Sequence, residues 1–187
     1  MNYEVISRAK KYLTRFDEIL NSMSSQMLSP NITNEITINF ILCMVPHHQA
    51  AIDMSENLLE YTKYKPLQDI ANNIIKTQTK GIEQMKEIYR TTYGYINTKK
   101  DVDSYMTKYL AITKNMVSRM RNSLRYPNVN LDFISEMIPH HEGAIEMSNN
   151  LLQYYIDPRL LNMAKSIIKE QTEGVKQLET IRRNLRR

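Results

Sequence analysis

The eleven residues MVPHHQAAIDM at positions 44–54 recur almost unchanged as MIPHHEGAIEM at positions 137–147. Each copy carries an adjacent pair of histidines, and the chain has four histidines in all: His47, His48, His140 and His141. Because every histidine of the protein lies in this repeated block, the block is the first place to look for function.

The similarity continues beyond the block at a constant offset of 93 residues. Matching positions include Met23 with Met116, Met27 with Met120, Phe40 with Phe133, Gln78 with Gln171 and Gly81 with Gly174. Self-similarity at a fixed period is typical of an internal duplication. We therefore predict two tandem helical repeats, residues 1–96 and 97–187, which either fold separately or share one core.

Composition limits the class of protein. The 187 residues are 42% hydrophobic with no tryptophan, and no apolar run approaches the roughly 18–20 residues that cross a bilayer. The N-terminus lacks the apolar core of a secretory signal. We expect a cytoplasmic protein without a membrane span, or a periplasmic or cell-envelope protein if a leader is missing from the sequence.

Charge and cysteine content give weaker indications. The net charge of +5 is spread along the chain, and the basic tail IRRNLRR has no interleaved aromatic residues, so we expect no nucleic-acid partner. Cys43 is the only cysteine and cannot form an intrachain disulfide. It is a metal ligand, a redox-sensitive thiol or a small buried hydrophobic residue, and the last is the commonest role of a free cysteine.

Apolar residues recur every three or four positions, which predicts amphipathic helices throughout an all-α fold. The first helix should end before Pro30, the second should carry the block to about Tyr61, and Pro66 should open the third. The second half repeats this plan, with a helix over 132–155 and a last one from Pro158. Gln78 and Gln171 are polar residues on apolar stripes. If they are buried they need partners, either a histidine across the bundle or a backbone group.

On a helix, Met44, His47, His48 and Met54 share one face, which is also the apolar face. Imidazole and thioether groups are soft donors that suit Cu(I) or Ag(I) better than Mg, Ca or Mn. Zinc normally requires more cysteine, histidine or carboxylate ligands than one half supplies.

Adjacent histidines point about 100° apart on a helix, so the two histidines of one block do not easily chelate one ion. Each half could hold more than one ion, or use one histidine as ligand and the other to support it. Pro46 and Pro139 either bend their helices and so aim the imidazoles, or mark a start or an irregularity of the helix needed only for packing.

The pattern M-[IV]-P-H-H-x-x-A-I-x-M, followed by A-x-x-I-I-x-x-Q on a third helix, resembles the family catalogued as domain of unknown function 305. Both halves match, so the resemblance covers nearly the whole chain. It implies a ferritin-like helical bundle, here two three-helix repeats related by pseudo-symmetry, and the handling of copper or silver, often in the envelope.

Carried over position by position, the resemblance implies metal-ligand roles for Met23, Met27, Met44, His47, His48, Met54, Met116, Met120, Met137, His140, His141 and Met147. It also implies an acid early in the helix of the block. Asp132 fits that position, whereas the first half has Asn39. Gly81 and Gly174 stand where family members commonly have glutamate.

Two hypotheses follow. The first is a metal-binding protein for Cu(I) or Ag(I), with copper buffering, transport or resistance as its role and metal ions as its partners. The alternative is a structural or interaction bundle whose histidines are core residues. We expect no enzyme, because di-iron chemistry needs Glu-x-x-His motifs that the chain lacks and no nucleophile–base pairing is evident. A homodimer is an open alternative for the assembly.

Overall fold

The computed structural model describes residues 3–186, with side-chain burial from residue 7 onward, and this range contains helices and no strand. The six helices are α1 (Tyr3–Leu28), α2 (Ile36–Leu59), α3 (Lys65–Thr91), α4 (Lys99–Arg121), α5 (Val129–Leu151) and α6 (Pro158–Leu185). The predicted all-α helical bundle is confirmed.

Proline and capping residues set the helix ends. α1 stops before Pro30, and α3 and α6 each begin with a proline in the first turn, where the missing N–H is not needed. The sequence prediction placed both ends of α5 a few residues too late. The Asn128 side chain accepts a hydrogen bond from the Asn130 N–H, so this cap starts the helix before the apolar periodicity becomes clear.

α2 and α5 lie at the centre of the bundle. α2 packs against α1 and α3, and α5 packs against α4 and α6; across the two halves, α1 contacts α4, α2 contacts α5 and α3 contacts α6. Buried side chains of both halves form one continuous hydrophobic core. The halves therefore share a core, while the division at residue 96, in the α3–α4 connection, stays a prediction.

Pairs of hydrogen bonds recur at the 93-residue offset. Asn57 Nδ2 donates to the Tyr12 carbonyl at 3.0 Å, and Asn150 Nδ2 donates to the Tyr105 carbonyl at 3.1 Å. These bonds fasten α2 to α1 and α5 to α4.

Asn39 and Asp132 lie at the position where an acid was expected. Both side chains accept a hydrogen bond from the backbone of the loop before their helix. Asn39 Oδ1 accepts from the Thr33 N–H at 2.8 Å, and Asp132 Oδ1 accepts from the Tyr126 N–H at 2.7 Å. Each side chain thus holds the loop that precedes its helix, and an amide does this as well as a carboxylate.

Pro46 and Pro139 lie inside α2 and α5, which continue on both sides of them. The alternative that a helix starts at these prolines is therefore wrong. Because proline has no N–H, the carbonyls of Leu42 and Ser135 lose their helical donor just before the histidine pairs.

Candidate functional site

The twelve predicted ligands all face the interior, and none of their side chains is more than 3% exposed. This confirms the face predicted from helical periodicity. Their roles as ligands stay predictions.

The two blocks meet through one histidine from each. The rings of His47 and His140 are stacked with centroids 3.7 Å apart. His47 Nε2 lies 3.2 Å from the His140 carbonyl oxygen, and His140 Nε2 lies 3.1 Å from the His47 carbonyl oxygen. A carbonyl only accepts, so each Nε2 carries the proton and each Nδ1 keeps a lone pair.

Sequence reasoning missed this pairing. It considered each half as a separate site, whereas the structure places one histidine of each half at the α2–α5 contact. The signal available in the sequence was that both blocks are apolar on the histidine face and must find a common partner.

His48 and His141 point away from the stacked pair, toward α3 and α6. Their ring centroids lie 6.1 Å from those of His47 and His140, respectively, in keeping with the prediction that neighbouring histidines do not chelate one ion together. His48 packs against Gly81, where a Cβ would lie 2.9 Å from its Cδ2 and 3.1 Å from its Nε2.

Gly174 receives His141 in the same way, since a Cβ there would lie 2.8 Å from both Cδ2 and Nε2 of the ring. Both glycines therefore provide the space that lets an imidazole rest on a helix backbone. This explains in physical terms why no larger side chain stands at Gly81 or Gly174.

Several buried polar atoms of this region have no hydrogen-bond partner within residues 3–186. They are the Nδ1 atoms of all four histidines and the Oε1 atoms of Gln78 and Gln171. For these glutamine oxygens, neither of the two predicted partners, a histidine or a backbone group, is found. Unpartnered buried polar atoms call for an explanation, and a bound ion is one of the usual ones.

Burial keeps the histidines neutral. Desolvation is the main cause that lowers the pKa of His48 and His141 to about 3 and that of His140 to about 4, and it lowers the pKa of His47 well below its usual value. The nearby His140 adds to the effect on the other three. At neutral pH the imidazole lone pairs are therefore not lost to protons.

Two cavities lie between α3 and α6, and each ends on one of the outer histidines. The larger, of about 580 Å³, reaches His48, and the smaller, of about 250 Å³, reaches His141. Gln78 and Gln171 line both. Access from solvent thus leads to His48 and His141, while His47 and His140 lie deeper between α2 and α5.

The positions one turn before the inner histidines differ between the halves. Cys43 is buried, and desolvation raises the pKa of its thiol to about 11. The side chain therefore stays an uncharged thiol at neutral pH. Glu136 holds the matching position, accepts from the Tyr12 hydroxyl at 2.6 Å and pairs with Arg125. Burial raises the pKa of Glu136 to about 8. The two halves are therefore not chemically identical.

Imidazole, thiolate and carboxylate ligands do not form a group of three here. In the part of the chain that the structure describes, no three side chains of His, Cys, Asp or Glu converge in a group that could hold a metal ion. Nor is any helix of residues 3–186 long and apolar enough to span a membrane. Thioether sulfur is a separate kind of donor, and all eight predicted methionine ligands lie in the core with the histidines.

Comparisons with known proteins agree with the fold. The model of the family described as "Domain of unknown function (DUF305)" matches residues 37–182. A crystal structure of a DUF305 fragment from Deinococcus radiodurans superposes with a TM-score of 0.58 at 21% identity, covering 83% of this chain and 99% of that one. No curated protein matches the sequence.

Proposed function

The chain belongs to the DUF305 family, and from that premise we propose that it binds soft monovalent metal ions, Cu(I) or Ag(I), in its helical core. Its cellular role would be copper buffering, transport or resistance. The duplicated blocks would supply a set of histidine and methionine donors from each half.

One observation carries the proposal: the reciprocal bonds between the inner histidines. His47 and His140 each donate from Nε2 to a backbone carbonyl, which leaves Nδ1 as a buried lone pair without a partner. Histidine ligands of metals are commonly held in this way, with one ring nitrogen bonded to a carbonyl and the other free for the ion.

The surrounding donors favour a soft ion. Met44 and Met137 lie one turn before the histidines on the same helices and are buried with them. Neutral imidazole and thioether are preferred by Cu(I), and neither donor adds negative charge to the core. A monovalent ion therefore brings less uncompensated charge into the bundle than a divalent ion would.

The same bonds also support the alternative, in which the histidines only fasten α2 to α5. In that case Nδ1 is simply an unsatisfied core atom, and loss of the histidines affects stability but no ligand. The two functions differ in one measurable property, the retention of metal by the folded protein.

The test is a titration with Cu(I) under strictly reducing conditions, in competition with a chromophoric chelator. We expect tight binding of two or more ions, lost when His47, His48, His140 and His141 are all changed to Ala while circular dichroism shows the helices intact. A folded wild-type protein that binds no more tightly than the variant would overturn the proposal.

A methionine pair provides a matched control. Met44→Leu removes a proposed ligand and should weaken binding at least tenfold. Met85→Leu removes a buried methionine outside the proposed set, at a position where the second half already has Leu178. This control should leave the affinity unchanged.

A further inference from the structure

We propose a further soft-metal site in the larger cavity between α3 and α6, formed by His48 Nε2 and the thioether of Met163. This inference rests on the proposed function, because both assume that the protein binds Cu(I) or Ag(I). It assigns a ligand, Met163, that lies outside the repeated blocks.

The geometry at Gly81 brings the two donors together. The position of a Cβ at Gly81 lies 3.1 Å from His48 Nε2 and 3.7 Å from Met163 Cε. Both side chains thus approach the same glycine. Methionine has three rotatable bonds and a polarisable sulfur, so rotation about these bonds can turn the sulfur toward the ring nitrogen.

The site is open to solvent on one side. Met163 is half-buried and lines the 580 Å³ cavity together with His48. An ion can therefore exchange its water for one nitrogen and one sulfur without opening the α2–α5 contact. Gln78 and Gln171 line the same cavity with a buried, unpartnered Oε1 each, and these oxygens could receive hydrogen bonds from water held on the ion.

The second cavity lacks the sulfur. His141 rests on Gly174 as His48 rests on Gly81, but the residue that corresponds to Met163 at the 93-residue offset is Ile70. Ile70 lines the smaller cavity and offers no donor. The chain thus contains its own control: two similar cavities, each with a histidine, of which one has a thioether.

The experiment uses Ag(I), which does not change oxidation state, and the full-length protein labelled with ¹³C in its methionine methyl groups. The Met163 signal is identified by its loss in Met163→Ile, which reproduces the residue of the other cavity. We expect Ag(I) to shift the Met163 signal, and Met163→Ile to lower the number of bound ions by one.

The reciprocal variant Ile70→Met should gain one ion and show a new silver-sensitive methyl signal. Circular dichroism of both variants shows whether they are folded, and both changes fall on partly buried side chains at matching positions of the two halves. A Met163 signal that stays in place while the signals of Met44 or Met137 shift would overturn this inference and leave the proposed function standing.

Other outcomes distinguish the cavity site from the core site of the proposed function. A shift of Met163 alone would support the cavity site and contradict the core site. An absence of any shift and of any retained silver would overturn both.

Discussion

At the scale of single residues, two glycines decide where the outer histidines lie. Gly81 and Gly174 sit in the interior of helices, where alanine is favoured over glycine by about 1 kcal/mol. That preference is given up at both positions so that His48 and His141 can rest against the backbone. The histidine position, rather than the stability of α3 and α6, explains these residues.

We predict that Gly81→Ala destabilises the protein by about 1–2 kcal/mol, because the buried His48 ring must move away from the new Cβ and this outweighs the helix preference. In a His48→Ala background the same change should be neutral or stabilising. Denaturant unfolding of the four proteins measures the difference. An equal loss in both backgrounds would show that His48 is not what the new methyl group meets.

At the scale of helices, the stacked histidines join α2 to α5. Each ring covers the other and donates to the backbone of the opposite helix. Carbonyl oxygens have two lone pairs, so these bonds are additional to those within the helices. Asn57 and Asn150 form similar side-chain to backbone hydrogen bonds at the outer contacts, which join α2 to α1 and α5 to α4.

We predict that His47→Phe and His140→Phe are coupled by about 1 kcal/mol in a double-mutant cycle of unfolding free energies, since either change disturbs the shared stack. Asn57→Ala should instead be additive with His140→Phe, because the Asn57 partner lies on α1. Additivity of the two histidine changes would mean that the stack contributes nothing to stability as a pair.

Local signals were enough to predict the helices, and they failed for contacts between helices. Pro30, Pro66 and Pro158 mark helix ends because proline acts on its own backbone. Helical periodicity likewise placed His47 and His48 on the buried face. The stacking of His47 on His140 depends on how α2 crosses α5. The residues of the two blocks do not by themselves predict that crossing.

The role of Gly81 was out of reach for the same reason. The glycine and His48 are far apart in the sequence, and only the packing of α3 on α2 brings them together. Repetition of the pair in the other half was the one available signal. For Gln78, the apolar stripe predicted only that a buried side chain would need a partner. Its burial and the unpartnered Oε1 beside the cavity are findings of the structure.

At the scale of the whole molecule, four buried neutral histidines make stability depend on pH. Their pKa values are lowered in the folded state, so the unfolded chain binds more protons below its own histidine pKa near 6.5. The contribution of the neutral histidines to the unfolding free energy is therefore complete above pH 6.5 and is lost as pH falls. Each histidine lowers the unfolding free energy by about 1.4 kcal/mol for each pH unit of acidification, once it is protonated in the unfolded chain.

Glu136 acts in the opposite direction. Burial raises its pKa to about 8, so the folded state holds the extra proton between about pH 4.5 and 8, and stability falls there as pH rises. One carboxyl is outweighed by four histidines below about pH 6.

We therefore predict that the metal-free protein loses several kcal/mol of unfolding free energy between pH 6.5 and pH 5, measured by urea titration at each pH. The variant with His48→Gln and His141→Gln should lose roughly a third as much, because two of the four histidines are gone while the opposing contribution of Glu136 remains. A profile that is flat over this range would show that the histidines are not buried as neutral groups.

The shared core gives the α3–α4 connection a further meaning, that of a tether. It is held at Asn97, which accepts from the Ile36 N–H and donates to the Tyr155 carbonyl at 2.8 Å each, and Gly94 lies just before it in an exposed stretch. A backbone cut at Gly94 would turn folding into an association of two fragments. The melting temperature would then rise with protein concentration, whereas that of the intact chain, in which each half keeps the other at a fixed effective concentration, would not.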